Sequence, residues 1–280
     1  GTGSVTGHAP TLERAPTPIP VTPPSAREGL APDKRQTKRV VHLDPERLRA
    51  AGLVVPGEQS SVAEEIRLIK RPLLLSAFSG RSSGERRSHL IMVTSSLPRE
   101  GKTYTAVNLA LSMASEPDIT VLLIDADMAQ PTIPPLLGFE AEKGLADILR
   151  NDKIDLADVM VRTNYDNLSI IPAGAQIPDA NELFASSRMA KFIGDISRRY
   201  SDRVIIMDSP PVLARSEPSV LAMHVGQIAF VVQAERTSEA ALREGLAMVN
   251  GCKHVSLILN KVGSLYAGDR FGKVGGGYGY

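Results

Sequence analysis

HLIMVTSSLPREGKTYTAVNLALSMAS, running from His89 to Ser115, decides how this chain is read. It opens on a short apolar run, His89 to Val93, the length of a buried strand. A polar loop follows, from Thr94 through Ser96, Leu97, Pro98, Arg99, Glu100, Gly101 and Lys102 to Thr103. Beyond it Ala106, Val107, Ala110, Leu111 and Ala114 recur with helical spacing. Strand, loop ending in Gly-Lys-Thr, then helix is the context a phosphate-binding P-loop requires. The first N–H groups of a helix lack internal partners and point at any anion seated on its N-terminus. Lys102 is expected to reach the outer phosphates, and the Thr103 hydroxyl to hold Mg²⁺. The loop departs from the usual pattern twice. Ser96 stands where the first glycine belongs, and Arg99 where a glycine is common.

The same grammar repeats along the rest of the chain. Thr120 to Ile124 is a near-continuous apolar run ending in Asp125-Ala126-Asp127. Val204 to Met207 ends in Asp208-Ser209-Pro210-Pro211, and Val255 to Leu259 ends in Asn260-Lys261. Leu168 to Ile171 and Gln227 to Val232 are further strands. Gly144 to Leu149, Asn181 to Tyr200 and Ser238 to Val249 read as helices, with a proline-bearing loop through Pro131, Pro134 and Pro135. Strands alternating with helices predict an α/β fold, a doubly wound and mostly parallel sheet. Such sheets bind ligands beyond the carboxyl ends of their strands. The P-loop, Asp125, Asp127, Asp208 and Asn260 all fall at that edge. Asp208 is placed to hold Mg²⁺ directly or through water. Asp125 and Asp127 repel one another unless a cation lies nearby; one would position the metal while the other accepts a proton from an attacking hydroxyl. The Asn260 amide has the chemistry to pair with a purine edge.

The flanks differ in character. Residues 1–43 are proline-rich and poor in large apolar groups, the composition of a disordered tail. Residues 44–80 hold two helices: one capped by Asp44 and ended by Gly52, another starting at Ser61. In the second, Glu64, Arg67 and Lys70 recur every three residues, which by itself reads as a solvated charged face. Residues 81–262 form the P-loop domain. Residues 263–280 are a glycine-rich, flexible tail. Three of the six tyrosines, Tyr266, Tyr278 and Tyr280, lie in it. A tail has no core for aromatic rings to fill, so these hydroxyls read either as substrates or docking groups, or as a low-complexity glycine–tyrosine end with no role.

Composition sets limits. The formal net charge is +1, which gives no field for nucleic acid. One cysteine, Cys252, allows no disulfide within the chain. No apolar run approaches the roughly 18 residues that span a bilayer.

Taken together, SSLPREGKT, LLIDADMAQP, IIMDSPP, VVQAERTSEAAL, LILNKV and the tyrosine-bearing end resemble the bacterial tyrosine kinases. More narrowly, the chain is similar to the tyrosine autokinases of exopolysaccharide systems. The resemblance covers about residues 44–280. It implies an Mrp/MinD-like P-loop fold and Mg²⁺–ATP as cofactor, with Ser96, Pro98, Arg99, Glu100, Gly101, Lys102, Thr103, Tyr104 and Asn260 around the nucleotide. It implies Lys102, Asp125 and Asp127 as catalytic residues, and Thr103, Asp125 and Asp208 as metal-binding ones. Tyr266, Tyr278 and Tyr280 would be phosphorylated by a neighbouring subunit. Glu64, Arg67 and Lys70 match the family's Glu-x-x-Arg-x-x-Arg oligomerisation motif, with lysine last, so the charged face becomes an expected subunit contact. The implied partners are further copies of the chain, a membrane-bound polysaccharide co-polymerase that recruits it to the inner face of the membrane, and a tyrosine phosphatase. Many members carry arginine where Ala129 stands. The rival readings are a Par/Min-type switch ATPase and a non-catalytic nucleotide-binding regulator. Leu97 stands where the Par/Min proteins carry a signature lysine, which counts against the first.

Overall fold

The computed structural model describes residues 40–83, 87–178 and 180–263, together with Gly1. In chain order it holds β1 (Val40–Val41), α1 (Pro45–Ala50), α2 (Ser61–Ser83), β2 (Leu90–Ser95), α3 (Lys102–Ala114) and β3 (Val121–Asp125). Then come α4 (Ile133–Leu137), α5 (Leu145–Arg150), α6 (Leu156–Val159), β4 (Val161–Thr163), β5 (Leu168–Ile171) and α7 (Asn181–Phe184). The last elements are α8 (Ser187–Arg199), β6 (Val204–Asp208), α9 (Glu217–Ala222), β7 (Gln227–Gln233), α10 (Glu239–Met248) and β8 (Val255–Asn260).

The strands form one sheet in the order β1-β4-β5-β3-β6-β2-β7-β8. From β5 to β8 every pairing is parallel; among the described strands only β4 runs antiparallel to a neighbour, β5. β2 and β3 flank β6, so the crossover through α3 leaves a crevice at their carboxyl ends. Both faces of the sheet are covered, which is why the strands read as unbroken apolar runs. Successive side chains alternate between two cores. Leu90 and Met92 of β2, with Leu122 and Ile124 of β3, pack against α5 to α9. Ile91, Val93, Val121 and Leu123 pack against α1 to α4.

Four sequence expectations change. The expected tail runs through residue 43, yet Val40 and Val41 pair with Arg162 and Thr163, and Leu43 is fully buried. The Leu43 N–H is held by Asn164 Oδ1 at 2.8 Å. Two residues are too few to show a period, and only the open edge of β4 gives them a partner. The helix expected from Asn181 to Tyr200 is two helices, because Ser186 caps α8 by accepting the Met189 N–H. The proline loop contains α4, which has a proline in its first turn.

Lys70 is the fourth. It does not share the exposed face of Glu64 and Arg67. Three residues advance a helix by about 300°, so two such steps rotate the side chain about 120° around the axis. That turns Lys70 into the seam with α3. It is 5 % exposed and donates to Ser112 O at 2.7 Å and Glu116 Oε1 at 2.7 Å. A lysine there satisfies the Ser112 carbonyl, one of those the last turn of α3 leaves open. Glu64 and Arg67 form an exposed ion pair at 2.7 Å. The helices of residues 44–80 thus belong to the same fold as the P-loop, sharing its second core. Residues 2–39 and 264–280 lie outside the described residues, and with them Tyr266, Tyr278 and Tyr280.

Candidate functional site

The P-loop connects β2 to α3 across the crevice. Its turn depends on Gly101, which precedes the first residue of α3 with φ +98°. Residues with a Cβ avoid that region. A Cβ there would also lie 2.0 Å from Asn260 Nδ2. Arg99 has φ +66°, the left-handed conformation that explains why glycine is common at its position. Its side chain is exposed.

Glu100 is 1 % exposed inside the loop. Its Oε2 accepts the Leu97 N–H at 2.7 Å, and its Oε1 accepts the Thr237 hydroxyl. Nothing in the spacing of the P-loop announces this carboxylate as a brace. Thr237 lies far away in sequence and is brought near by the β7–β2 pairing. Ser96 is fully buried, and its hydroxyl faces α10: a Cβ on Gly245 would come within 2.6 Å of Ser96 Oγ. Gly245 therefore makes room for the serine that replaces the first P-loop glycine. Tyr104 turns to the N-terminal segment and donates its hydroxyl to Gly52 O at 2.6 Å. Pro98 is exposed at the loop's rim.

Lys102 and Thr103, the first residues of α3, stand opposite the strand-end acids. Lys102 Nζ lies 3.4 Å from Asp127 Oδ2, and Asp127 Oδ1 accepts the Gln130 N–H at 3.1 Å. The chain leaves the extended conformation after Asp125, so the two aspartates take different surroundings. Asp125 is fully buried; it accepts the Asp127 N–H at 3.2 Å and, from the start of α4, the Ile133 N–H at 3.3 Å. Burial, and then the neighbouring Asp208, push the Asp125 carboxyl well above its usual range, against the pull of those two N–H groups.

Asp208 pairs with Asp125 across β3 and β6. It is fully buried, and neither carboxylate oxygen has a hydrogen-bond partner among the described residues. Burial pushes it up to about 7. The Lys102 charge and the nearby Thr103 hydroxyl, which stops short of a hydrogen bond, pull it back. A buried carboxylate without donors is costly unless a ligand satisfies it. This orphaned pair of oxygens, beside Lys102, Thr103 and the open end of α3, fits a divalent cation carrying phosphates.

The structure thus brings together Gly101, Lys102, Thr103, Asp125, Asp127 and Asp208, as the sequence predicts. It places Asn260 otherwise. Its Nδ2 donates to Glu100 O at 2.8 Å, and its Oδ1 accepts the Lys261 N–H at 2.9 Å. That amide is engaged with the P-loop backbone, because β8 ends directly beside the loop.

The AAA domain family matches residues 91–256. A putative tyrosine-protein kinase CapB of Staphylococcus aureus is 27% identical over 206 residues, covering 73% of this chain and 86% of that one. Tyrosine-protein kinase Wzc of Salmonella typhimurium is 31% identical over 180 residues, 64% of this chain but only 24% of Wzc. Among solved structures, the VpsO kinase domain superposes with a TM-score of 0.58 at 29% identity, covering 73% of this chain and all of that one. By its family match and these relatives, the chain belongs to the AAA-domain P-loop proteins and, among them, to the bacterial tyrosine kinases.

Proposed function

We propose that this chain is an ATP- and Mg²⁺-dependent protein-tyrosine autokinase that regulates exopolysaccharide synthesis and export. The observation that carries the reading is Asp208, a buried carboxylate with no donor, set beside Lys102 and Thr103 at a helix N-terminus. Thr103 and Asp208 would hold Mg²⁺, which when bound neutralises phosphate charge and eases departure of the diphosphate. Lys102 adds a cation where charge builds on the transferred group. Asp127, paired with Lys102 and less enclosed than Asp125, accepts the proton of the attacking tyrosine hydroxyl. Asp125 fixes the turn that places Asp127, since it accepts the Asp127 N–H, and adds its charge to the metal site.

The acceptors are Tyr278, Tyr280 and Tyr266, reached in trans from a second copy. The exposed Glu64–Arg67 pair on α2 would form part of the contact between copies. Among the described residues no helix is long and apolar enough to cross a membrane. By the likeness to the kinases of polysaccharide systems, a membrane-bound co-polymerase would recruit and activate the chain at the inner face of the membrane, and a tyrosine phosphatase would reset it.

The test is incubation with ATP and Mg²⁺ followed by mapping of phosphates by mass spectrometry. Phosphate is expected on Tyr278 and Tyr280, and Lys102→Met should abolish it. ATP hydrolysis with all three tail tyrosines bare would replace the kinase with a switch ATPase.

A further inference from the structure

The P-loop is held from outside by the ends of β7 and β8. Asn260 Nδ2 donates to the carbonyl of Glu100 at 2.8 Å. The next residue, Lys261, donates its Nζ to the carbonyl of Arg99 at 2.6 Å and lies 3.4 Å from Gln233 Oε1. Two consecutive carbonyls of the loop are therefore fixed by two consecutive side chains. A trans peptide points its C=O and N–H in opposite directions. Holding Arg99 O toward Lys261 turns the N–H of Glu100 away from it. Holding Glu100 O toward Asn260 does the same to the N–H of Gly101. Neither N–H is given to a protein acceptor among the described residues. The contact is tight, since a Cβ on Gly101 would meet Asn260 Nδ2 at 2.0 Å. Arg99 gives the clamp more to hold, because its left-handed backbone is unfavourable for a residue with a side chain.

We propose that Asn260 and Lys261 are positioning residues that aim the N–H groups of Glu100 and Gly101 at the nucleotide's phosphates. They act through the loop backbone and leave the base alone. The inference rests on nucleotide binding at this P-loop and not on which group accepts the phosphoryl.

Calorimetry on the full chain with Mg²⁺–ATP, Mg²⁺–GTP and adenosine tests it, using Asn260→Ser, Lys261→Met and Lys261→Arg. Asn260→Ser should weaken ATP and GTP by the same factor, about tenfold, the scale of losing a bond that orients donors to a charged group. Lys261→Met should weaken both about threefold, and Lys261→Arg should restore binding. Adenosine binding should not move. Unchanged ATP affinity in both Asn260→Ser and Lys261→Met overturns the inference. A loss confined to ATP and adenosine, with GTP spared, also overturns it and makes Asn260 a reader of the base. Should Asn260→Ser fail to fold, the exposed Lys261→Met decides alone. These outcomes stand apart from the kinase reading, which fails only when ATP binds or is hydrolysed and the tyrosines stay bare.

Discussion

Asp208→Asn should make the metal-free protein more stable at pH 8, although it removes a residue central to the site. In the wild type the fully buried carboxyl rises from the usual 3.8 to about 7, first because burial penalises its charge. A group whose folded pKa is raised gives stability that is complete below its unfolded pKa. That stability is lost as pH climbs through the folded value. Wild-type stability in EDTA is therefore expected to fall between about pH 4 and pH 8. The gap from 3.8 to about 7, at about 1.36 kcal/mol per pH unit, bounds the loss at roughly 4 kcal/mol. The Asn variant carries no charge there, so its curve should be flatter. It should exceed the wild type by up to that amount at pH 8 and by little near pH 4.5. Urea unfolding in EDTA at four pH values measures both curves. Adding Mg²⁺–ATP at pH 8 should stabilise the wild type and leave the variant behind. A variant no more stable than wild type at pH 8, or a gap that does not shrink toward acid, would refute the claim that Asp208 is an unsatisfied buried charge awaiting a cation.

Other substitutions separate the buried contacts of α2 and the P-loop from the exposed ones. Lys70→Met should cost about 1–3 kcal/mol in chemical denaturation, because Ser112 O loses its donor in a buried seam, while the mass by light scattering stays that of the wild type. Arg67→Ala should do the reverse: stability within about 0.5 kcal/mol, since its ion pair with Glu64 is exposed, and a lower oligomer mass. An unchanged mass would remove α2's charged face from the subunit contact. Arg99→Gly should raise the unfolding free energy by up to about 1 kcal/mol by relieving the φ of +66°, less the extra freedom glycine gains when unfolded. A loss of stability would show that the Arg99 side chain supports the loop.

Much of this protein is legible in its residue order. Apolar runs ending in Gly-Lys-Thr, Asp125, Asp208 and Asn260 identify parallel strands with their chemistry at one edge. Each signal is local, built from strand period, helix period and turn chemistry over a few residues. The α/β class, the P-loop and the acids opposite it follow from that alone. The short pieces were not legible. Val40–Val41 becomes a strand only because β4 offers an edge, and Ser186 cuts one expected helix in two. The roles of single polar residues depended still more on packing. Lys70 matches a motif in spacing, but the helix angle carries it into the seam with α3. Asn260 has the chemistry of a base reader, yet the neighbouring loop takes its amide. Glu100 and Thr237 are 137 positions apart and meet inside the P-loop. The sequence determines which groups reach the sheet's edge, because strand direction is written locally. Tertiary structure decides what each group touches there, because hydrogen-bond partners come from strands adjacent in space and distant in the chain.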